Sequence, residues 1–237
     1  MRVIAFKLWG DFAHFRRHFT TSSPLTHCLP PPSALRGLVG AILGLAPQAS
    51  PEKLSPEKSR FGMRLLAPVK KIRLGLNYLD TKDGAWVVKP PKGRLHTQVR
   101  VEFLKDPAFE VFFHHKEKAL MDELSERLKN HRTVYTPYLG ISECLANFEF
   151  LWDEEVEPAE GSAKVVSAFR SQDLEDLKLR NGVRLLKEVV PVFIDAERRR
   201  HLSEEVIFNP HAEPIEVTLK EAFDYPQKPG ETFTFVG

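Results

Sequence analysis

Hydrophobic and polar residues alternate from the start of the chain. In residues 2–9 (RVIAFKLW), Ile4, Phe6 and Leu8 fall on one side and Val3, Ala5 and Lys7 on the other, which predicts a strand with one strongly apolar face. A polar loop over residues 10–29 carries Arg16, Arg17, His18 and a Thr/Ser cluster. Pro30-Pro31-Pro32-Ser33 follows, with Ser33 placed to cap a helix over residues 34–45. Gly37, Gly40 and Gly44 share one face of that helix. Each glycine costs about 1 kcal/mol inside a helix, so three on one face imply close packing against a sheet or a ligand backbone. Residues 51–60 read as a polar linker. Residues 69–79 alternate as a strand and run into the turn-rich Asp80-Thr81-Lys82-Asp83-Gly84. Further strands are expected at 86–89 and 96–104, separated by Pro90-Pro91-Lys92-Gly93, and another at 109–114. Residues 116–130 place Ala119, Leu120, Leu124 and Leu128 on one helical face, and 144–152 closes the series as a strand.

The resulting order is strand, helix, strand, extended hairpin, strand, helix, strand. It predicts an α+β fold: a ferredoxin-like, RRM-like βαββαβ domain over residues 1–152 with a β-hairpin thumb at about 80–98. The acidic stretch 153–160 marks the expected boundary of a smaller β-rich C-terminal module, residues 153–237, with strands at 184–195, 201–208 and 215–219.

The chain of 237 residues is 42% hydrophobic and 28% charged, enough to bury a sizeable core. The longest uncharged apolar stretch, residues 37–46, holds three glycines and falls well short of the ~20 residues a membrane span needs. With no secretory hydrophobic segment at the start, the expectation is a soluble, cytoplasmic protein. Two cysteines, Cys28 and Cys144, supply neither a disulfide framework nor a four-cysteine metal site. The net charge of +2 hides a segregation: residues 1–100 hold 17 Lys/Arg against 5 Asp/Glu, and residues 101–237 hold 17 against 27. Such asymmetry points to one end that meets a polyanion.

Three segments together resemble a known family. Gly10-Asp11-Phe12-Ala13-His14-Phe15-Arg16 resembles its first-loop motif. Pro31-Pro32-Ser33-Ala34-Leu35-Arg36-Gly37-Leu38-Val39-Gly40-Ala41-Ile42-Leu43-Gly44 is similar to its most characteristic helix. Tyr135-Thr136-Pro137-Tyr138-Leu139-Gly140-Ile141-Ser142-Glu143-Cys144 resembles the segment before its last core strand. The family is the CRISPR-associated subunit that caps the 5′ handle of the guide RNA in type I Cascade complexes, within the RAMP superfamily. The resemblance spans about residues 2–150 and implies the ferredoxin-like domain, the thumb and the C-terminal β module. It also implies as partners the guide RNA, a helical backbone subunit and the large subunit, with target DNA reached through the complex. The C-terminal half lacks the glycine-rich loop of many RAMP relatives.

Phosphate binding needs basic donors and backbone N–H groups in one groove. Arg16, Arg17 and His18 are expected to face the N-terminus of the glycine helix, where Ser33 and the helix dipole add anion affinity, with Arg36 one turn further on. A second basic group, Lys82, Lys89, Lys92, Arg94, His96 and Arg100, lies on the hairpin and is extended by Lys70, Lys71 and Arg73. Lysines there can alternatively protect a strand edge. Trp86 either stacks on a base or packs under the turn. Phe15, beside Arg16, is the loop aromatic placed to approach RNA. Tyr138 and Gly140 sit in a loop where glycine permits close backbone approach.

None of H-E-x-x-H, a Walker loop or G-x-S-x-G is present, and consecutive strand residues such as His114 and His115 point to opposite faces. No cofactor, metal or catalytic residue is therefore assigned. The leading expectation is a non-catalytic RNA-binding assembly subunit. The alternative is a metal-independent repeat endoribonuclease drawing on His96, His115, Lys116 and Tyr78; a generic single-stranded RNA binder is a third reading.

Overall fold

Both faces of β1 (Arg2–Trp9) are buried, and this sets the layering of the molecule. The computed structural model describes residues 1–20, 22–79, 96–177 and 182–237. β1 forms a four-stranded sheet with β3 (Ser59–Leu65), β6 (Ala108–His115) and β7 (Asn147–Glu155), in the order β3-β6-β1-β7 with every neighbour antiparallel. Between β1 and β3 the chain runs through α1 (Pro32–Leu43) and the short α2 (Ser50–Lys53); α3 (Lys118–Lys129) joins β6 to β7. Ile4, Phe6 and Leu8 share a core with Leu35, Val39 and Ile42 of α1 and Leu124 and Leu128 of α3.

The second core strand is not the expected 69–79 segment. Residues 71–79 form β4 (Lys71–Leu79), which leaves the main sheet and pairs with β5 (His96–Lys105); the short β2 (Phe12–Ala13) completes a separate three-stranded ribbon. The main sheet takes β3 instead, whose start fell inside the expected linker. Its Phe61, Met63 and Leu65 enter the helix-side core, while Arg60 and Arg64 lie on the opposite face beside Gly62. A Cβ on Gly62 would lie 2.5 Å from the Thr234 carbonyl oxygen, so this strand position requires glycine.

α1 also starts earlier than expected. Pro32 occupies its first turn, where a missing N–H costs nothing, and Ser33 lies inside the helix without a side-chain capping bond. Its glycines do not form one packing face. Gly37 is open to solvent, Gly40 lies against Ser50, and Gly44 closes the helix in the left-handed conformation against Val134.

The remaining chain wraps the sheet. β8 (Ser162–Val165), β10 (Leu174–Leu177), β13 (Ile215–Leu219), β14 (Phe223–Asp224) and β15 (Glu231–Phe233) form a five-stranded sheet in the order β10-β13-β8-β15-β14. Phe223, Tyr225, Phe233 and Phe235 cover Val3, Ala5, Phe112 and Trp152, with the Phe112 and Phe233 rings stacked 4.2 Å apart. β9 (Phe169–Arg170), β11 (Leu186–Ile194) and β12 (Arg200–Phe208) form a third piece, whose Val190, Val206 and Phe208 join the core of Ile4 and Phe6. Residues 153–155 still belong to β7, and strands beyond it contribute side chains to both cores.

Candidate nucleic-acid interface

The sheet face that RNA-recognition folds present to bases is occupied here by the C-terminal aromatics. Glu110, on that face, is almost fully buried and accepts hydrogen bonds from Tyr225 Oη (3.1 Å), Trp152 Nε1 (3.4 Å) and Arg64 Nη1 (3.3 Å). Burial raises its pKa, against the opposing pull of Arg64 and of these donors. This face of the sheet is therefore closed to a ligand.

The β4–β5 ribbon presents a polar face. Cross-strand partners share a face, so the register places Lys71, Arg73, Asn77, Gln98, Arg100 and Glu102 on one side. Ile72, Leu74, Leu76, Val99, Val101 and Phe103 take the other side and pack toward the helix-side core. Glu102 is the acidic group of the polar side, bridged by Lys71 Nζ at 3.0 Å and by Arg73 Nη2 at 3.6 Å. Arg73, His96 and Arg100 stay exposed. This alternation sends apolar side chains inward and leaves a row of cations and amides outward, which suits a phosphate backbone.

The ribbon leads into a cleft of about 500 Å³ lined by Arg17, Lys71, Arg184, Lys187, Glu188 and His211, among others. The loop of residues 10–29 forms one wall, tied to β11 through Glu188. That carboxylate bonds the Arg17 guanidinium, His27 Nδ1 at 3.2 Å and the Cys28 N–H at 3.1 Å. Burial alone would raise the Glu188 pKa, but the bonds from His27 and Cys28 and the charge of Arg17 hold it at about 2. Arg17 also donates to the Thr26 carbonyl at 3.2 Å, so its charge fastens the wall.

The other expected contacts divide by burial. Arg16, His18, Lys70, Arg73, His96, Arg100 and Tyr138 are exposed. Phe15 and Arg36 are enclosed, contrary to expectation. Phe15 meets Phe109 edge-on, with centroids 6.2 Å apart. Arg36 donates to the carbonyls of Leu54 (2.6 Å) and Val192 and lies over the Phe61 ring at 5.1 Å. Burial lowers its pKa to about 10, leaving it charged but out of reach of a ligand. Ser33 is partly covered and caps nothing. Gly140 does serve a close approach, but to this chain: at φ 93° a Cβ would lie 2.1 Å from the His14 carbonyl oxygen. Lys82, Trp86, Lys89, Lys92 and Arg94, and with them most of the expected thumb, lie outside the described residues.

Sequence reasoning missed Arg184, Lys187 and His211, which enter the cleft from the half whose overall count is acidic. The alternation of β11 was visible, but nothing in the sequence placed its start beside Lys71. Among the histidines considered for catalysis, His115 is committed: its Nε2 bonds the Lys53 carbonyl at 2.9 Å and its Nδ1 accepts the Glu117 N–H at 3.0 Å. Burial raises the Cys28 and Cys144 thiols to about 12 and about 11. Among the described residues no group of three or more His, Cys, Asp or Glu side chains is placed to hold a metal ion, and no helix is long and apolar enough to cross a membrane.

The family model described as "CRISPR-associated protein (Cas_Cas5)" matches residues 3–207. A chain of a solved "CRISPR RNA-guided surveillance complex" is similar in fold, with a TM-score of 0.57, 17% identity and 91% of each chain covered. A CRISPR protein from Archaeoglobus fulgidus gives a TM-score of 0.57 at 16% identity, covering 100% of this chain and 99% of the other. A chain of a type III-B Cmr-beta complex bound to cognate target RNA gives 0.50 at 10% identity, covering 99% of each. No match was found among curated proteins.

Proposed function

Because the chain belongs to the CRISPR-associated Cas5 family, we propose that it is a non-catalytic subunit of an RNA-guided CRISPR effector complex, holding the 5′ handle of the guide RNA. The observation that carries this reading is the polar side of the β4–β5 ribbon, where Arg73, Arg100 and His96 stand exposed and continue into the basic cleft. Two segments of different origin, the N-terminal loop and β11, line this cleft and are joined by the Arg17–Glu188 pair. Aromatic rings are mostly spent in the cores, so binding is dominated by phosphate contacts and is strongly salt-dependent. We read the four-stranded sheet with its two crossover helices as the ferredoxin-like element, serving as scaffold. On the same reading the partners are a backbone subunit and the large subunit of a type I complex in the cytoplasm, with target DNA reached through the assembly.

The test is to incubate purified protein with repeat-derived RNA in EDTA and follow both mobility and length. The reading expects a shifted, intact RNA. Absence of binding sinks it. Site-specific cleavage lost on substituting His96 or Lys116 selects the endoribonuclease instead.

A further inference from the structure

The hairpin of β11 and β12 ends in a turn that places Arg198, Arg199 and Arg200 in succession, all exposed, followed by exposed His201. Among the described residues no carboxylate lies within salt-bridge distance of any of the three guanidinium groups. The turn is nevertheless well built. Asp195 accepts the Arg199 N–H through Oδ1 at 2.7 Å and the Arg198 N–H through its carbonyl at 3.1 Å, and it donates its own N–H to Arg199 O at 3.0 Å. The Asp195 Oδ2 atom holds His201 Nε2 at 2.5 Å. Arg198 adopts φ 63°, a left-handed conformation uncommon for a side-chain-bearing residue, and this framework maintains it. Three adjacent like charges repel one another; the Asp195 carboxyl, held low first by its bond from His201, also feels the charge of Arg199.

Their position relative to the candidate interface is specific. The Arg17–Glu188 pair fixes the basic N-terminal loop alongside β11. The β11–β12 register sets Arg200 opposite Ile194, six residues along β11 from Glu188, so the arginine turn lies at the other end of that hairpin. The loss of water around the ring, then the charges of Arg200 and His27, lower the His18 pKa. One end of the β11–β12 hairpin thus lines the cleft beside Arg17, Lys71 and Arg184, and the other end carries the arginine turn.

Resting on the RNA-binding reading above, we propose that the Arg198–Arg199–Arg200 turn is a second phosphate-binding site, which takes the backbone of the same single-stranded RNA where it leaves the cleft. The chemistry it recognises is the phosphodiester rather than the base. Arginine suits this task, because its planar donors pair with two phosphate oxygens at once.

The experiment compares full-length wild-type protein with R198Q/R199Q/R200Q and with the milder R199Q/R200Q, titrated by fluorescence anisotropy into handle-containing RNA at several salt concentrations. Circular dichroism and thermal melting report the fold of each. The triple variant is expected to bind roughly tenfold or more weakly. Its log K against log salt slope should be shallower by about 2, since each single-strand phosphate contact contributes about 0.7. R199Q/R200Q should fall between, and R198K/R199K/R200K should recover most of the affinity. Wild-type affinity and slope in either glutamine variant overturn the proposal while leaving the cleft reading standing. Unchanged RNA binding with loss of co-purifying protein subunits overturns it in favour of a protein-facing turn. If wild-type protein binds no handle RNA, the functional reading and this proposal fall together.

Discussion

Arg16 and Arg36 are separated by one loop and the start of one helix, yet they have opposite roles. Arg16 is exposed and donates to the Thr20 carbonyl at 3.0 Å, whereas Arg36 is enclosed with its Nη2 unpartnered among the described residues. Reversing the Arg36 charge therefore attacks the fold: R36E is expected to lose about 3 kcal/mol or more in urea denaturation. R16E should melt like wild type and bind handle RNA several-fold more weakly. Equal melting of the two variants would contradict this division. Glu188 makes a pH prediction. Its folded pKa of about 2 lies below the ordinary 4.5, so its stabilising contribution is complete above pH 4.5 and is lost as pH falls from there toward 2. The shift corresponds to a contribution on the order of 3 kcal/mol. Wild-type protein should thus lose more thermal stability across that window than E188Q does, and parallel melting curves would show that the carboxylate does not hold the loop. At Gly140 the sequence indicated a close backbone approach but not to what. The neighbour is His14, 126 positions earlier in the chain, and G140A should cost about 1–3 kcal/mol.

At the scale of elements, long alternating segments were legible and short ones were not. Residues 109–114, 116–130 and 215–219 fall close to β6, α3 and β13, because each carries a sustained period of two or of 3.6. β3 escaped because a polar run precedes it and two of its outward residues, Arg60 and Arg64, meet Glu221 and Glu110. Conversely, β4 looked like a core strand although its apolar side continues beyond the core to the exposed Tyr78. α1 starts two residues before the helix expected behind a Ser33 cap, because proline fits a helix's first turn. The candidate site was legible as a basic half and a set of residue types. Its walls were not, because Glu188 lies 171 positions from the arginine it binds.

For the whole molecule, the segregation of charge along the chain is not a segregation in space. Arg184 and Lys187 come from the half in which acids exceed bases, yet they line the cleft opposite Arg17 and Lys71. The C-terminal aromatics explain why that cleft, rather than the sheet face, is open. A buried aromatic contributes about 1.5–3 kcal/mol by leaving water. Truncating Phe233, which stacks on Phe112, adds a cavity, so F233A should destabilise the protein by about 3–5 kcal/mol in chemical denaturation. A cost below about 1 kcal/mol would mean that the C-terminal layer is not part of the shared core.

The central claim is that the ribbon and cleft bind the guide RNA through phosphates. The most direct measurement is the salt dependence of handle-RNA affinity for wild-type protein, for R73E/R100E on the ribbon, and for R127E on α3 as a charge-reversal control on another surface. The account predicts that R73E/R100E binds at least tenfold more weakly with a visibly shallower salt slope, while R127E retains wild-type values. Equal losses in both variants, or wild-type binding by R73E/R100E, would contradict it.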